Sequence, residues 1–228
     1  MITLYDLVFQ NDRRPSPFCW RAKFALAHKG LPWKDEPTGF TEKHKIAFAD
    51  SQLLPVLKDS ETAVKDSWAI ACHLDKAYPD KPLFATEQEL LAAQLANGWV
   101  DIAINGAIFP IVVADLVERV RPEDKAYIIE SRGKRLGTAD FGGFQARARE
   151  KGVATLRTAL EPARRVLRER KFLGGTRSNY ADYALFGSFM WAHVTSPLAL
   201  LESDDPIYTW RERMFDAFDG MGRKAKAA

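Results

Sequence analysis

The hydrophobic periodicity of this chain changes type once, at a proline-bearing stretch from residue 78 to 86 that contains Tyr78-Pro79-Asp80, Pro82 and Phe84. Ahead of that break the segments alternate. Residues 2–7 read as a strand, 17–28 as a helix with Phe24 and Ala25 turned inward, and 31–36 as a second strand. A polar, weakly helical stretch covers 41–50. Two short strands, 53–57 and 62–65, are joined by a hairpin turn, and Ser67 opens a helix carrying Ile70, Leu74 and Ala77. Such an order packs as a small mixed sheet with helices laid on it. After the break every pattern is helical. One long helix is expected from 87 to about 119, kinked near Pro110, where a backbone donor is lost. A loop is expected over 133–143 and a second helix over 144–171, ended by Gly174-Gly175. Asn179 and Asp182 form a capping-box pattern before the apolar run 183–191, and Pro206 starts the last helix. The predicted organisation is an α/β domain over 1–80, a linker over 81–86, an all-α domain over 87–222 and a frayed tail over 223–228.

Composition narrows the function classes. With 46% hydrophobic and 28% charged residues the chain is of ordinary soluble globular type, and a net charge of +3 is too small to imply nucleic acid. The densest basic run, Arg164-Arg165 through Arg168, Arg170 and Lys171, reads as a solvated helix face, without the alternating aromatics of a stacking platform. Two cysteines cannot build a disulfide framework and fit a reducing, cytoplasmic compartment. The most apolar run, 99–114, is interrupted by Asp101, Asn105 and Pro110 and is too short to cross a bilayer. His28, His44, His73 and His193 show no metal-ligand spacing, so no metal is expected.

Three features combine into a site. Ser16-Pro17-Phe18-Cys19 opens the first helix, with proline at its favoured first position and Ser16 at the positive end of the helix dipole. A hydroxyl and a helix N-terminus aimed at one point can hold a ligand's thiolate. Pro55 falls in a short strand, where a missing N–H is awkward unless the preceding bond is cis; that bond would turn the N–H and C=O of Leu54 outward to pair with an extended peptide. Asp66-Ser67 starts the next helix and offers free N–H groups and a hydroxyl to a carboxylate. A thiolate site, a peptide-pairing edge and a carboxylate socket fit one co-substrate, glutathione.

Ser16-Pro17-Phe18-Cys19 resembles a thioredoxin or glutaredoxin Cys-Pro-x-Cys motif whose first cysteine has become serine. More broadly the chain resembles the cytosolic glutathione transferases, with a thioredoxin-like N-terminal domain and an all-helical C-terminal domain. Within them it is similar to the class of bacterial lignin β-etherases and related fungal enzymes. The resemblance rests on Ser16-Pro17-Phe18 with Trp20-Arg21, His28-Lys29-Gly30, Leu54-Pro55-Val56, Asp66-Ser67-Trp68, Leu74-Asp75 and Tyr78-Pro79-Asp80. It continues through Leu173-Gly174-Gly175, Asn179 to Tyr183 and Asp204-Asp205-Pro206 to Trp210 and Asp219-Gly220.

The resemblance implies that Ser16 activates the glutathione sulfur and that Leu54 pairs with the peptide backbone before Pro55. It gives Asp66 and Ser67 the γ-glutamyl end. The glycine carboxylate falls to Lys43, His44, Lys45 or Gln52, and the helical domain forms an electrophile pocket with Phe18, Trp99 and Phe109 on its wall. It also implies a symmetric homodimer. The implied reaction is attack of the bound thiolate on an apolar, aromatic electrophile such as a β-aryl ether.

Each residue also has a plainer role. Ser16 and Ser67 can be helix caps, Cys19 and Cys72 can be buried packing residues, and Trp99, Ile102, Phe109 and Val113 can be core. Two other functions compete with transfer. A glutathione-dependent thiol–disulfide oxidoreductase lacks its attacking thiol at Ser16. A non-catalytic binding module would keep the fold alone.

Overall fold

The computed structural model describes all 228 residues. Four strands, β1 (Ile2–Leu7), β2 (Trp33–Thr38), β3 (Val56–Asp59) and β4 (Thr62–Lys65), form one sheet in the order β2-β1-β3-β4. β1 and β2 run parallel, while β1–β3 and β3–β4 are antiparallel. Pro37 sits in β2, an edge strand, where a missing donor costs no ladder bond on the open side. Leu4 and Leu57 face each other across β1 and β3 and are both fully buried.

Local chemistry explains the helices that flank this sheet. α1 (Pro17–Lys29) starts at Ser16, whose Oγ accepts from Cys19 N–H at 3.2 Å, and ends at Gly30 with φ +66°, the left-handed conformation that glycine adopts without a Cβ penalty. α2 (Ser67–Ala77) is capped by Asp66. The segment after it is tied down: Asp75 accepts from the N–H groups of Leu83 and Phe84, and Leu83 is fully buried.

Seven helices follow: α3 (Glu87–Trp99), α4 (Asn105–Arg119), α5 (Pro122–Leu136), α6 (Phe141–Ala159), α7 (Glu161–Leu167), α8 (Tyr180–Thr195) and α9 (Pro206–Gly220). α3 and α4 are joined without a break by a π turn at Val100–Ile104. The irregularity therefore lies ahead of Pro110, at a widened turn, and not at the proline. The joined helix, Glu87–Arg119, is long and apolar enough by composition to cross a membrane, and half of its most apolar window is buried in the protein.

Three further expectations are corrected in this half. The stretch 133–143 is mostly helix: α5 runs to Leu136, Gly137 closes it at φ +66°, and Asp140 caps α6 by accepting from Gly143 N–H at 2.8 Å. The region 144–171 is two helices, because Pro162 in the first turn of α7 has no N–H to reach back into α6. Residues 223–228 are docked and not frayed. Arg223 pairs with Glu212 and Asp216, and Ala228 N–H donates to His193 O. In the basic run, Arg164 turns inward to pair with Asp205 at 2.9 Å.

α8 is buried on all sides and holds the two parts together. Its capping box is complete, and Asp182 also accepts from Leu173 and Gly174 N–H groups and from the Trp210 indole. Gly187 permits the closest approach to α1: a Cβ there would stand 2.4 Å from the carbonyl oxygen of Pro17. Phe24 of α1 packs against Tyr183, Phe186 and Phe218 with ring centroids 5.2–5.6 Å apart. Arg21 of α1, fully buried, pairs with Asp101 at 2.7 Å and donates to Asn97 at 3.0 Å. Forty-nine buried apolar residues drawn from both halves form one continuous cluster, so the two halves share a core.

Candidate active site

The sheet and the helical half enclose a cleft of about 750 Å³ whose wall includes Ser16, Phe18, Leu54, Pro55 and Asp66 from the first half, and Phe109 and Trp191 from the second. Ser16 is buried at the start of α1. Its Oγ accepts the Cys19 N–H, and a hydroxyl that accepts there still carries a proton that it can donate. The capping role and the ligand role are thus compatible: one uses a lone pair, the other the proton.

Pro55 is preceded by a cis peptide bond, as its position predicts. Leu54 lies just outside β3, and no protein group pairs with its N–H or C=O. The loop leading to it is shaped by Ser51, whose Oγ accepts from Leu53 N–H at 3.1 Å and donates to Leu53 O at 2.8 Å. Beyond Pro55, whose carbonyl accepts from Asp66 N–H at 3.3 Å, Asp66 sits at φ +78°. For a residue other than glycine that conformation costs about 1–3 kcal/mol. Its Oδ1 accepts the N–H groups of Trp68 and Ala69 at 2.9 and 3.1 Å, leaving Oδ2 open to a ligand. Ser67 is buried beside it, next to Tyr180, whose phenol is pushed up by burial.

The residues expected at the glycine end separate. Lys43 lies on the cleft wall and its amine donates to Gln52 O; Gln52 itself is exposed and off the wall. Lys45 is taken up by Pro37 O and Glu42, and His44 is exposed off the cleft. Phe18 and Phe109 both line the cleft, Phe18 beneath the Arg21 guanidinium at 4.8 Å. Trp99 does not. Its indole donates to Ala159 O at 3.2 Å, because the π turn after it carries more residues per turn and breaks the helical spacing that joins Trp99 to Phe109 on paper.

Cys19 is buried under β1, and burial, with Asp6 adding, pushes its thiol well above the usual range. A thiol so placed is a packing group. No cluster of three or more His, Cys, Asp or Glu side chains is close enough to hold a metal ion.

Several cleft residues escaped the sequence reading. Asp101 and Asn105 come from the π turn and the start of α4, Trp191 from α8, and Tyr127, Arg132 and Arg135 from α5, while Ile102, read from its spacing as core, is exposed on the cleft wall. α5 was legible in principle. Pro122 at its first position, Glu123-Asp124 in its first turn, Lys134-Arg135 in its last and Gly137 after it are complete start and stop signals.

A sheet whose first helix opens at Ser16-Pro17, with a cis-proline edge and a helical wall closing over it, defines a thioredoxin-like domain joined to an all-α domain. Residues 15–77 match the glutathione S-transferase N-terminal domain and residues 93–205 the glutathione S-transferase C-terminal domain. Together the two matches span most of the chain, and the protein belongs to the glutathione S-transferase family.

Among curated relatives, the glutathione S-transferase-like protein ustS of Aspergillus flavus is 30% identical over 145 residues, 58% of this chain and 51% of that protein. The chain thus spans about half the length of that relative. Glutathione S-transferase U22 of Arabidopsis thaliana is 24% identical over 197 residues, 85% of this chain and 78% of that one. Among solved structures, the glutathione S-transferase CsGST63524 of Ceriporiopsis subvermispora, in complex with glutathione, superposes with a TM-score of 0.84 at 21% identity, over 96% of this chain and 97% of that one. Glutathione transferase GSTFuA3 of Phanerochaete chrysosporium gives 0.83 at 22% identity over 96% of each. At these identities the structures speak for the fold.

Proposed function

We propose that this protein is a glutathione transferase in which Ser16 stabilises the thiolate of bound glutathione. The observation that carries this reading is the meeting, in one cleft, of the Ser16 hydroxyl at the α1 N-terminus, the unpaired backbone of Leu54 and the open Oδ2 of Asp66 at the α2 N-terminus. A hydroxyl donor and a helix N-terminus lower a thiol's pKa by favouring its charged form. The thiol proton leaves to solvent. The thiolate forms a bond to carbon on an apolar electrophile lying against Phe18 and Phe109, and the departing group takes the bonding electron pair. With a β-aryl ether, the electrophile we propose first, the C–O bond breaks and the aryloxide is protonated by water. Proximity supplies much of the acceleration.

Lys43 is our choice for the glycine carboxylate. The lysine is held at Gln52 O beside the Leu54 edge, and burial lowers its pKa. The protein is proposed to act in the reducing cytoplasm as a symmetric homodimer. Two unpaired cysteines fit that compartment, and the exposed Leu91 and Leu95, on one face of α3, fit a contact between copies. Sedimentation at micromolar concentration is expected to give about twice 25.7 kDa, and a single species at 25.7 kDa would refute the dimer.

The test of mechanism is Ser16→Ala, with the thiolate absorbance of bound glutathione titrated against pH and turnover measured on matched ethers and haloarenes. Loss of one oxyanion-type donor costs about 100- to 1,000-fold, and the α1 dipole makes the loss smaller here. The thiol pKa is expected to rise and turnover to fall. An unchanged pKa and rate would reduce Ser16 to a helix cap.

A further inference from the structure

The helical end of the cleft carries two cations with no counter-charge. Arg132 and Arg135, three residues apart on α5 and so on one face of it, both line the cleft, and neither lies within salt-bridge distance of a carboxylate. Most inward-turned arginines elsewhere are paired with acids, Arg14 with Asp6, Arg21 with Asp101, Arg121 with Asp124 and Arg164 with Asp205, while Arg213 donates to Lys171 O outside the cleft. Arg132 has only a 3.4 Å contact from Nη1 to Ser131 Oγ, and its Nε is buried without a partner. Burial, with the charge of Arg135 adding, pulls it below the usual arginine range, yet a guanidinium keeps its proton. Arg132 is half-buried and Arg135 exposed; an unpaired, partly desolvated cation beside a like charge is unfavourable, and an anion placed between the two relieves the repulsion.

Aromatic rings lie at the same place. The Arg135 guanidinium stands 4.2 Å over Phe109, which stacks on Trp191, and Arg132 stands 5.7 Å from Phe40, which stacks on Tyr127. The carboxylate on this wall, Asp101, is taken by Arg21. Of the lysines on the cleft wall, Lys43 is assigned to the glycine carboxylate and Lys65 is engaged with Asp50 O.

We infer that the second substrate is an aromatic compound bearing an anionic group, a ring carboxylate or sulfonate, which Arg132 and Arg135 hold while the ring lies against Phe109 and Phe40. This inference rests on the transferase reading for the identity of the site as the electrophile pocket.

The test is a pair of fluorescent probes that differ by one sulfonate, 8-anilinonaphthalene-1-sulfonate and N-phenyl-1-naphthylamine. Binding of each is measured without turnover, together with displacement by S-hexylglutathione and calorimetric titration of glutathione itself. A charge-assisted hydrogen bond in a partly open cleft corresponds to about a tenfold preference for the sulfonated probe. The double variant Arg132→Gln/Arg135→Gln is expected to lose that preference while holding the neutral probe and glutathione as before. Arg132→Lys/Arg135→Lys is expected to keep most of it, and it serves if the glutamine pair fails to fold. Equal affinities in the unmodified protein would overturn the inference, as would a preference that survives the glutamine pair. Loss of glutathione affinity in step with the probe would also overturn it, by assigning the arginines to glutathione. An arginine-dependent preference without any glutathione binding would instead refute the transferase reading and leave the anion site supported.

Discussion

Asp66 carries two roles that a pair of substitutions can separate. Its Oδ1 caps α2, and its Oδ2 is the atom proposed to meet the γ-glutamyl ammonium of glutathione. Asparagine keeps an oxygen for the Trp68 and Ala69 N–H groups, caps about as well as aspartate, and tolerates the positive φ of +78°. Asp66→Asn therefore removes the charge and little else. A hydrogen bond to a charged group is worth about 1.5–3 kcal/mol. Asp66 is exposed in the free protein, so solvent screening points to the low end, about 1.5 kcal/mol or roughly tenfold in affinity. Asp66→Ala loses the same contact and also the cap, about 1 kcal/mol, which in a chain of this length lowers Tm by about 2–4 °C. Calorimetric titration is done with glutathione and with an analogue lacking the α-amino group, and Tm is taken by circular dichroism. Both variants should bind glutathione about tenfold more weakly, only the alanine should show the larger fall in Tm, and the affinity difference should vanish with the deaminated analogue. Unchanged glutathione affinity in Asp66→Asn would refute the ligand role. Equal Tm values for the two variants would refute the cap.

Stability should fall on mild acidification. Burial holds His28 below its usual range, with Arg177 and Lys29 adding and the Pro82 backbone and Asp75 opposing; its Nδ1 lies 2.6 Å from the Tyr183 hydroxyl. The unfolded chain, titrating near 6.5, takes up that proton first, so stability is complete above about pH 6.5 and declines as the pH drops toward the folded-state value. His193 acts in the same direction through burial, with Arg211 and Arg223 adding to it and Glu212 opposing. Melting curves between about pH 7 and about pH 5 should show a shallower dependence in His28→Gln, and an identical slope would refute the assignment. Gly187→Ala should disturb the seat of α1, because a Cβ 2.4 Å from a backbone oxygen forces the helices apart; overpacking of this kind costs about 1–3 kcal/mol. Tm and glutathione affinity should fall together, and a variant as stable as the parent would show that α8 and α1 can separate without cost.

The parts of this protein legible from sequence alone are those whose hydrogen bonds close within a few residues. Ser16 with Cys19, Asp66 with Trp68 and Ala69, and Asn179 with Asp182 satisfy helix starts locally, so residue type and spacing suffice to place them. The same logic was available at Pro122 and Pro162, whose helix boundaries are equally local. Tertiary structure decided what spacing cannot. Trp99 and Phe109 are both large apolar residues on one continuous helix, yet the π turn between them sends one to Ala159 and the other into the cleft. Arg21 and Arg132 are both helical arginines, but Arg21 meets Asp101 while Arg132 meets no acid, a difference set by packing across elements far apart in the chain. Helix starts are legible because capping is short-range. The far wall of the cleft, drawn from α4, α5 and α8, exists only once the core has brought those helices together.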